Sequence, residues 1–390
     1  MSPAEAPAPC AAPQPTSGLA DSTAPMRIVF SNYDTPGNPY YGGGGARAIH
    51  EVALRLARRH KVEVLGGGHP GAKPAEREGV RYRYLGPSAA GPKLGQVLFP
   101  VLLMREARRT ACDVWIESLT PPFSTACLPK FTRAPVAALT QVLAGEGMRR
   151  KYRLPFDRFE RIGLQAYRYA IATSKRLRER LLEINPRLLV ETIPNGVRPD
   201  WIRAPLARRE EHILFLGRID IGQKGLDLLA EALDRARGRL PVPALLVGSG
   251  APADERRLER LLARRRLDGL IRRLPRVGEA EKAELYRRAM FLVLPSRYEA
   301  SPLVLPEAFC FGVPAIMFHI PDLGEYPEAA CVKVPPFDAA AFAEAMVALA
   351  QDAPRRRRMS RAAKEAALGY DWDRLAARYE AFLAAIGRSA

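Results

Sequence analysis

Cysteine is scarce in this 390-residue chain: five residues (Cys10, Cys112, Cys127, Cys310, Cys331), odd in number, far apart and nowhere spaced Cys-x-x-Cys. Neither a disulfide framework nor a zinc site is indicated, and the cytoplasm is the natural compartment. No apolar run approaches the roughly 20 residues that span a bilayer. The longest, Leu94 to Met104, is interrupted by Gln96 and Pro100. No lysine or arginine precedes Arg27, so the basic start of a signal peptide is lacking. Residues 1–25, rich in proline, alanine and serine, also lack packing residues and are expected to form a disordered tail, with Met26 opening the first strand. Aromatics reach only 8%. No zinc-finger, RNP or helix-turn-helix pattern accompanies the pI near 10.0, which argues against nucleic acid as a partner.

What is present is a repeated alternation of apolar strands and helical segments, the pattern of parallel α/β sheets. Expected strands cover residues 27–30, 62–65, 113–117, 136–140, 170–173 and 190–193, then 212–216, 244–247, 271–274, 291–294 and 315–318. At 390 residues and 47% hydrophobic, the chain suits two domains rather than one. The polar stretch from Pro199 to Glu211 reads as the hinge. That gives a first domain over 26–204, a second over 205–368, and a closing amphipathic helix within 369–390. Positive charge is concentrated in the first half: residues 26–200 hold 29 basic and 15 acidic residues, a net +14, against +6 over 201–390. Arg105-Glu-Ala-Arg108-Arg109 and Arg149-Arg150-Lys151-Tyr152-Arg153 are the candidate basic patches, suited to anionic headgroups or a phosphate-bearing ligand unless they follow composition alone.

Two glutamates, Glu299 and Glu307, stand where the strand Phe291 to Leu294 should turn into a helix from Leu305 to Phe311. Open α/β sheets bind ligands at that kind of junction. One carboxylate can face a ligand while the other accepts hydroxyl hydrogen bonds, although acids near a helix start also occur for dipole reasons alone. Upstream, the strand 213–216 ends at Gly217 and a loop carrying Arg218 and Lys224, two cations able to neutralise a departing diphosphate if they are more than a surface pair. No Asp-x-Asp is expected to hold a divalent ion at that diphosphate. Gly42 to Gly45 precede a helix, where glycine lets backbone amides approach anionic oxygens. An NAD-dependent oxidoreductase is the competing enzyme class, but no Gly-x-Gly-x-x-Gly stands there, and residues 66–68 are glycines where a ribose-binding acid would follow the second strand.

The glycine loop, Ala172-Thr-Ser174, Ile193-Pro-Asn-Gly196, Gly217-Arg218 with Lys224-Gly225, Val247-Gly-Ser-Gly250, Arg276-Val-Gly278, the paired glutamates and Gly312-Val-Pro314 recur in the order found in glycosyltransferase family 4. The chain resembles that family, retaining nucleotide-sugar-dependent enzymes of GT-B fold, from Arg27 to about Ile386. The resemblance implies two Rossmann-like domains facing a cleft, with the last helix crossing back to the first. It implies a UDP- or GDP-sugar donor, no resident cofactor or metal, and a small-molecule or lipid-linked acceptor received by the first domain. Gly44, Gly45, Gly248 and Val277 would border the donor. Arg218, Lys224 and the amides of Leu303 and Val304 would stabilise the leaving diphosphate. Glu299 would orient the transferred sugar and Glu307 would take the ribose hydroxyls.

Two departures stand out. Pro302 occupies a usual glycine position and has no amide hydrogen to donate. Thr140-Gln141 replaces a common His-Gln, which makes Thr140, Gln141 and Glu146 the acceptor-side candidates and leaves His50, His60, His69, His212 and His319 expected on surfaces. A non-catalytic relative that binds sugar nucleotides is the third reading, against which stand the retained arginine, lysine and glutamates.

Overall fold

The computed structural model describes residues 24–39, 44–119, 127–206 and 210–388. Most of the expected tail and the glycines Gly42 and Gly43 lie outside the described residues.

The first sheet contains β1 (Arg27–Ser31), β2 (Lys61–Gly67), β3 (Ala75–Arg77), β4 (Val80–Leu85), β5 (Val114–Ser118), β6 (Val136–Thr140), β7 (Tyr169–Ala172) and β8 (Leu189–Thr192), in the order β3-β4-β2-β1-β5-β6-β7-β8. All of its pairings are parallel except β3 with β4. That hairpin was not expected. Its two-residue turn, Glu78-Gly79, has φ of 49° and 80°, the positive pair a tight hairpin needs, and Val80-Arg-Tyr-Arg-Tyr-Leu85 alternates as a half-buried strand should. The second sheet contains β9 (His212–Leu216), β10 (Ala244–Val247), β11 (Ile271–Leu274), β12 (Ala289–Leu294), β13 (Ala315–Phe318) and β14 (Cys331–Val334), all parallel in the order β11-β10-β9-β12-β13-β14. Two Rossmann-like α/β halves result.

Central strands such as β6 and β12 are buried along their whole length, because helices cover both faces of each sheet. On one face of the first sheet, the helix Gly44–Leu56 packs with the last helix, Trp372–Gly387, through Val52, Leu375, Tyr379 and Leu383. On the other, Phe99 and Leu103 of the helix Gly91–Ala107 share a core with Leu164, the end of the helix Phe156–Leu164. The last helix thus belongs to the first core although the chain reaches it from the second sheet. Its start is fixed by Asp371, which accepts from the amides of Asp373 (2.7 Å) and Arg374 (3.3 Å), while Asp373 accepts from Arg55 Nε at 2.7 Å. Among the described residues no helix is long and apolar enough to cross a membrane.

Candidate functional site

The loops after β9, β10 and β12 meet at the carboxyl edge of the second sheet because glycines let their backbones touch. Gly248 has φ of 147°, and a Cβ there would stand 1.8 Å from the carbonyl oxygen of Gly217. Gly225, with φ of 62°, lies against Pro295, whose oxygen would be 1.9 Å from an added Cβ. This second approach places the loop after β9 on the end of β12. Lys224, the last residue of the short helix Ile221–Lys224, consequently donates from Nζ to Glu299 Oε1 at 2.6 Å. Ser296 Oγ donates to the same oxygen at 2.6 Å, and the Glu299 amide donates to Asp322 Oδ2 at 3.3 Å. Glu299 is only 7% exposed. Arg297 fastens the loop from beneath, forming a two-pronged pair with Asp227 at 2.8 Å on each prong.

Glu307 lies in the first turn of the helix Val304–Cys310, which begins just after Pro302 and Leu303. Its carboxylate accepts from Lys282 Nζ at 2.9 Å and from the Tyr286 hydroxyl at 3.0 Å. Burial and the neighbouring carboxylate push the Tyr286 phenol well above its ordinary range, so it remains a donor. Lys282 lies 5.0 Å from the centre of the Trp201 ring and 3.2 Å from Glu279 Oε1. Glu279 in turn meets Arg47 of the first domain at 3.0 Å. Although burial opposes it, Lys282 and Arg47 hold the Glu279 carboxyl below its usual value. A chain of charges therefore runs from Glu307 across the cleft to the helix that starts at Gly44.

Arg218 is arranged differently. Its side chain is exposed, and its guanidinium donates to Gln223 Oε1 at 2.5 Å and lies 3.4 Å from Asp220, rather than engaging either glutamate. Val277 is half-buried against the second core, and the neighbouring Arg276 amide donates to Ser249 Oγ at 3.1 Å, tying this loop to the one holding Gly248.

Across the cleft, Gly45 stands beside Gln141, whose side chain would be 3.6 Å from a Cβ there. Gln141 and Asn195 exchange amide hydrogen bonds of 2.9 and 3.3 Å. Thr140 ends β6 fully buried, its hydroxyl without a partner. Glu146 is turned away into a surface pair with Arg150 at 2.5 Å. The acid close to this loop is instead Glu160, which accepts from the amides of Ala144 and Gly145, both at 3.0 Å.

The expectation that all five histidines decorate surfaces is corrected: His60, His69 and His212 are buried, and only His50 and His319 reach solvent appreciably. His60 bridges the Met26 amide and Glu380, and His212 Nε2 faces the Leu285 carbonyl. His69 is the one near the carboxyl edge of the first sheet. Its Nδ1 faces the Pro70 carbonyl at 2.9 Å, while Nε2 is buried without a partner, as are Asp34 Oδ1 and Thr35 Oγ1 in the loop after β1. Ser296, Asp322, Lys282 and Tyr286 also escaped the sequence reading. Ser296 is adjacent to the glutamate motif and could have been suspected, whereas the other three come from separate elements. The chain does hold one Asp-x-Asp, Asp371-Trp372-Asp373, and both of its carboxylates serve the last helix as described above.

Two facing α/β halves, closed by a helix returning to the first, define the GT-B fold of glycosyltransferases. Solved structures of that class superpose over nearly the whole chain. Sucrose-phosphate synthase from Thermosynechococcus elongatus gives a TM-score of 0.77 at 20% identity, covering 94% of this chain and 100% of that one. Anabaena Alr3699/HepE in complex with UDP and glucose gives 0.69 at 16% identity, covering 91% and 98%. The model for glycosyltransferase family 4 matches residues 42–201, and that for glycosyl transferases group 1 matches residues 210–352. The chain belongs to glycosyltransferase family 4. Phosphatidyl-myo-inositol mannosyltransferase of Mycobacterium tuberculosis (strain H37Rv) is 30% identical over 192 residues, 46% of this chain and 50% of that protein. D-inositol 3-phosphate glycosyltransferase of Xylanimonas cellulosilytica is 31% identical over 167 residues, 42% of this chain and 40% of the relative. The chain thus spans about half the length, or less, of these curated relatives.

Proposed function

We propose that the protein is a retaining, metal-independent hexosyltransferase that moves a sugar from a UDP-, GDP- or related donor to a hydroxyl of its acceptor. The observation that carries this reading is the pair of shielded carboxylates, Glu299 and Glu307, each held by a lysine and placed around the mouth of the second sheet. The bond from the anomeric carbon to the diphosphate breaks with its electrons on the leaving oxygen, through an oxocarbenium-like transition state. The acceptor oxygen attacks from the same face and its proton passes to the leaving phosphate. Arg218, Lys224 and the amides of Leu303 and Val304 stabilise the charge that grows on the diphosphate, more in the transition state than in the ground state. Arg218 reaches the donor by leaving Gln223 and Asp220. Glu299 orients the sugar, Glu307 takes the ribose hydroxyls in exchange for Lys282, Val277 borders the base through its backbone, and Gly44, Gly45 and Gly248 leave room for the phosphates.

The acceptor binds to the first domain, between Thr140, Gln141 and the loop after β1. By their names, both relatives above act on inositol-bearing molecules, one of them a lipid, so a polyol carrying phosphate or a lipid is the favoured acceptor class. The enzyme works in the cytoplasm, with its basic first domain turned to the anionic inner face of a membrane.

A thermal-shift series with UDP- and GDP-sugars tests the donor reading. A cognate donor at about one hundred times its Kd should stabilise the fold by about 2.7 kcal/mol through mass action. No shift with any nucleotide sugar would sink the proposal. A shift without release of nucleoside diphosphate in the presence of acceptors would leave a binder without turnover.

A further inference from the structure

Two contacts join the halves, one on each side of the site. Glu279, which opens the helix Glu279–Arg288 after β11, meets Arg47 in the first turn of the helix Gly44–Leu56 at 3.0 Å. Glu325, after β13, accepts at 3.1 Å from the amide of Lys175, the first residue of the helix Lys175–Ile184. The strand order β11-β10-β9-β12-β13-β14 puts the loops that hold Lys224, Gly248 and Glu299 between these two points. The two chain segments that cross between the halves run side by side, the Val197 amide donating to the Tyr370 carbonyl at 2.8 Å.

In this closed arrangement the surroundings of Glu307 are tight. A hollow that Glu307 lines together with Arg47, Trp201 and Leu303 measures about 20 Å³, room for little more than one water molecule, whereas ligand pockets run from about 300 Å³ upward. Lys282 Nζ already occupies the carboxylate, 2.9 Å from Oε1. A ribose reaches Glu307 only by displacing Lys282 and by drawing Arg47 away from its place beside the hollow.

Lys282 has an acceptor waiting for it. Glu279 Oε1 serves both Arg47, at 3.0 Å, and Lys282, at 3.2 Å, while Glu279 Oε2 is buried without a partner. A buried acceptor left unbonded is costly, so the contact between Arg47 and Glu279 is weaker than its distance suggests. With the halves apart, water solvates both oxygens and the cost disappears.

We propose that Arg47, Glu279 and Lys282 are positioning residues that couple ribose binding to closure of the cleft. A nucleoside diphosphate enters with Arg47 and Glu279 apart. Its ribose takes Glu307, Lys282 swings from Glu307 to Glu279 Oε2, and Arg47 returns to Oε1, so the contact re-forms with both oxygens bonded. The ligand thereby favours the closed form over the open one, which is what a coupling between binding and closure requires. Glu325 closes the opposite flank through a backbone amide and takes no part in the exchange. The inference rests on the assignment of Glu307 to the donor ribose made above.

Rapid-mixing titrations of the full chain with UDP, GDP and inorganic pyrophosphate test it, since pyrophosphate offers the charges without the ribose. Arg47→Ala and Glu279→Gln should each lower the affinity for the cognate nucleoside diphosphate, relative to that for pyrophosphate, by about tenfold. Both should raise kon for the nucleotide, because the contact no longer has to open, and raise koff more. The double variant should lose no more than either single one, and Arg47→Lys should keep most of the parent affinity. Glu325→Gln should leave the ratio of nucleotide to pyrophosphate affinity unchanged. A kon that is unchanged or slowed, equal losses for pyrophosphate, or additive losses in the double variant would each overturn the coupling while leaving the donor reading in place. A parent protein that binds neither nucleotide would instead overturn the donor reading, and this inference with it.

Discussion

Lys224 Nζ lies 2.6 Å from Glu299 Oε1, joining the loop after β9 to the loop after β12 with both side chains largely shielded from water. Removing one partner strands the other in a poorly solvated place, so Lys224→Ala should cost about 3 kcal/mol of stability. Glu299→Gln added to it should restore much of that loss. Activity should follow a different rule, because the lysine is assigned to the leaving diphosphate and the glutamate to the sugar: the double variant stays inactive. Denaturant unfolding together with steady-state kinetics checks both halves. A double variant no more stable than the single would refute the pairing as a source of stability.

Arg218 offers the opposite combination. Its side chain is 63% exposed and bonded only to neighbours on its own loop, so Arg218→Ala should leave the melting temperature unchanged. If it swings onto the diphosphate, kcat should fall by about 10²–10³ with little change in donor KM, as when an oxyanion-type donor is removed. An unaltered kcat would place this arginine outside the transition state.

The parallel α/β architecture was legible in the alternation of apolar strands and helices, and the family in short glycine, cation and glutamate segments whose order is unusual. What stayed hidden depended on partners far apart in sequence. Lys282 and Tyr286 reach Glu307 from a neighbouring helix, and Asp322 reaches the Glu299 amide from 23 residues away. No local period announces such meetings. The hairpin β3-β4 was a different kind of miss: its alternation and its Gly79 were readable, but the segment is charged and short. His60 was misplaced because a residue type says little about burial once a helix crosses from the far end of the chain, as the last helix does to bring Glu380 to it.

Asp34, in the loop after β1, should give the fold a measurable pH dependence. Burial pushes its carboxyl up to about 6 from an ordinary 3.8, and Oδ1 has no hydrogen-bond partner. Because the folded-state value is raised, its contribution to stability is fully present below the unfolded value and is lost as pH rises through about 6. The loss is at most about 3 kcal/mol, two units at 1.36 kcal/mol each. Asp34→Asn, which carries no titrating charge, should therefore gain on the parent protein between pH 4 and pH 7. Parallel melting curves across that range would show it, and a constant gap between the two proteins would mean that Asp34 is solvated in the fold.

Metal independence is the last expectation. The diphosphate's charge is assigned to Arg218, Lys224 and the amides at the start of the helix Val304–Cys310, a set that supplies cations and aligned donors without an ion. The chain's one Asp-x-Asp is spoken for: Asp371 caps the last helix and Asp373 meets Arg55. Among the described residues no three acids, histidines or cysteines gather where they could hold a metal ion. Transfer measured in EDTA should then match transfer in untreated buffer, and added magnesium or manganese should change the rate little. Activity abolished by EDTA and restored by either ion would require a metal bridging the diphosphate, with Arg218 and Lys224 reduced to a supporting role.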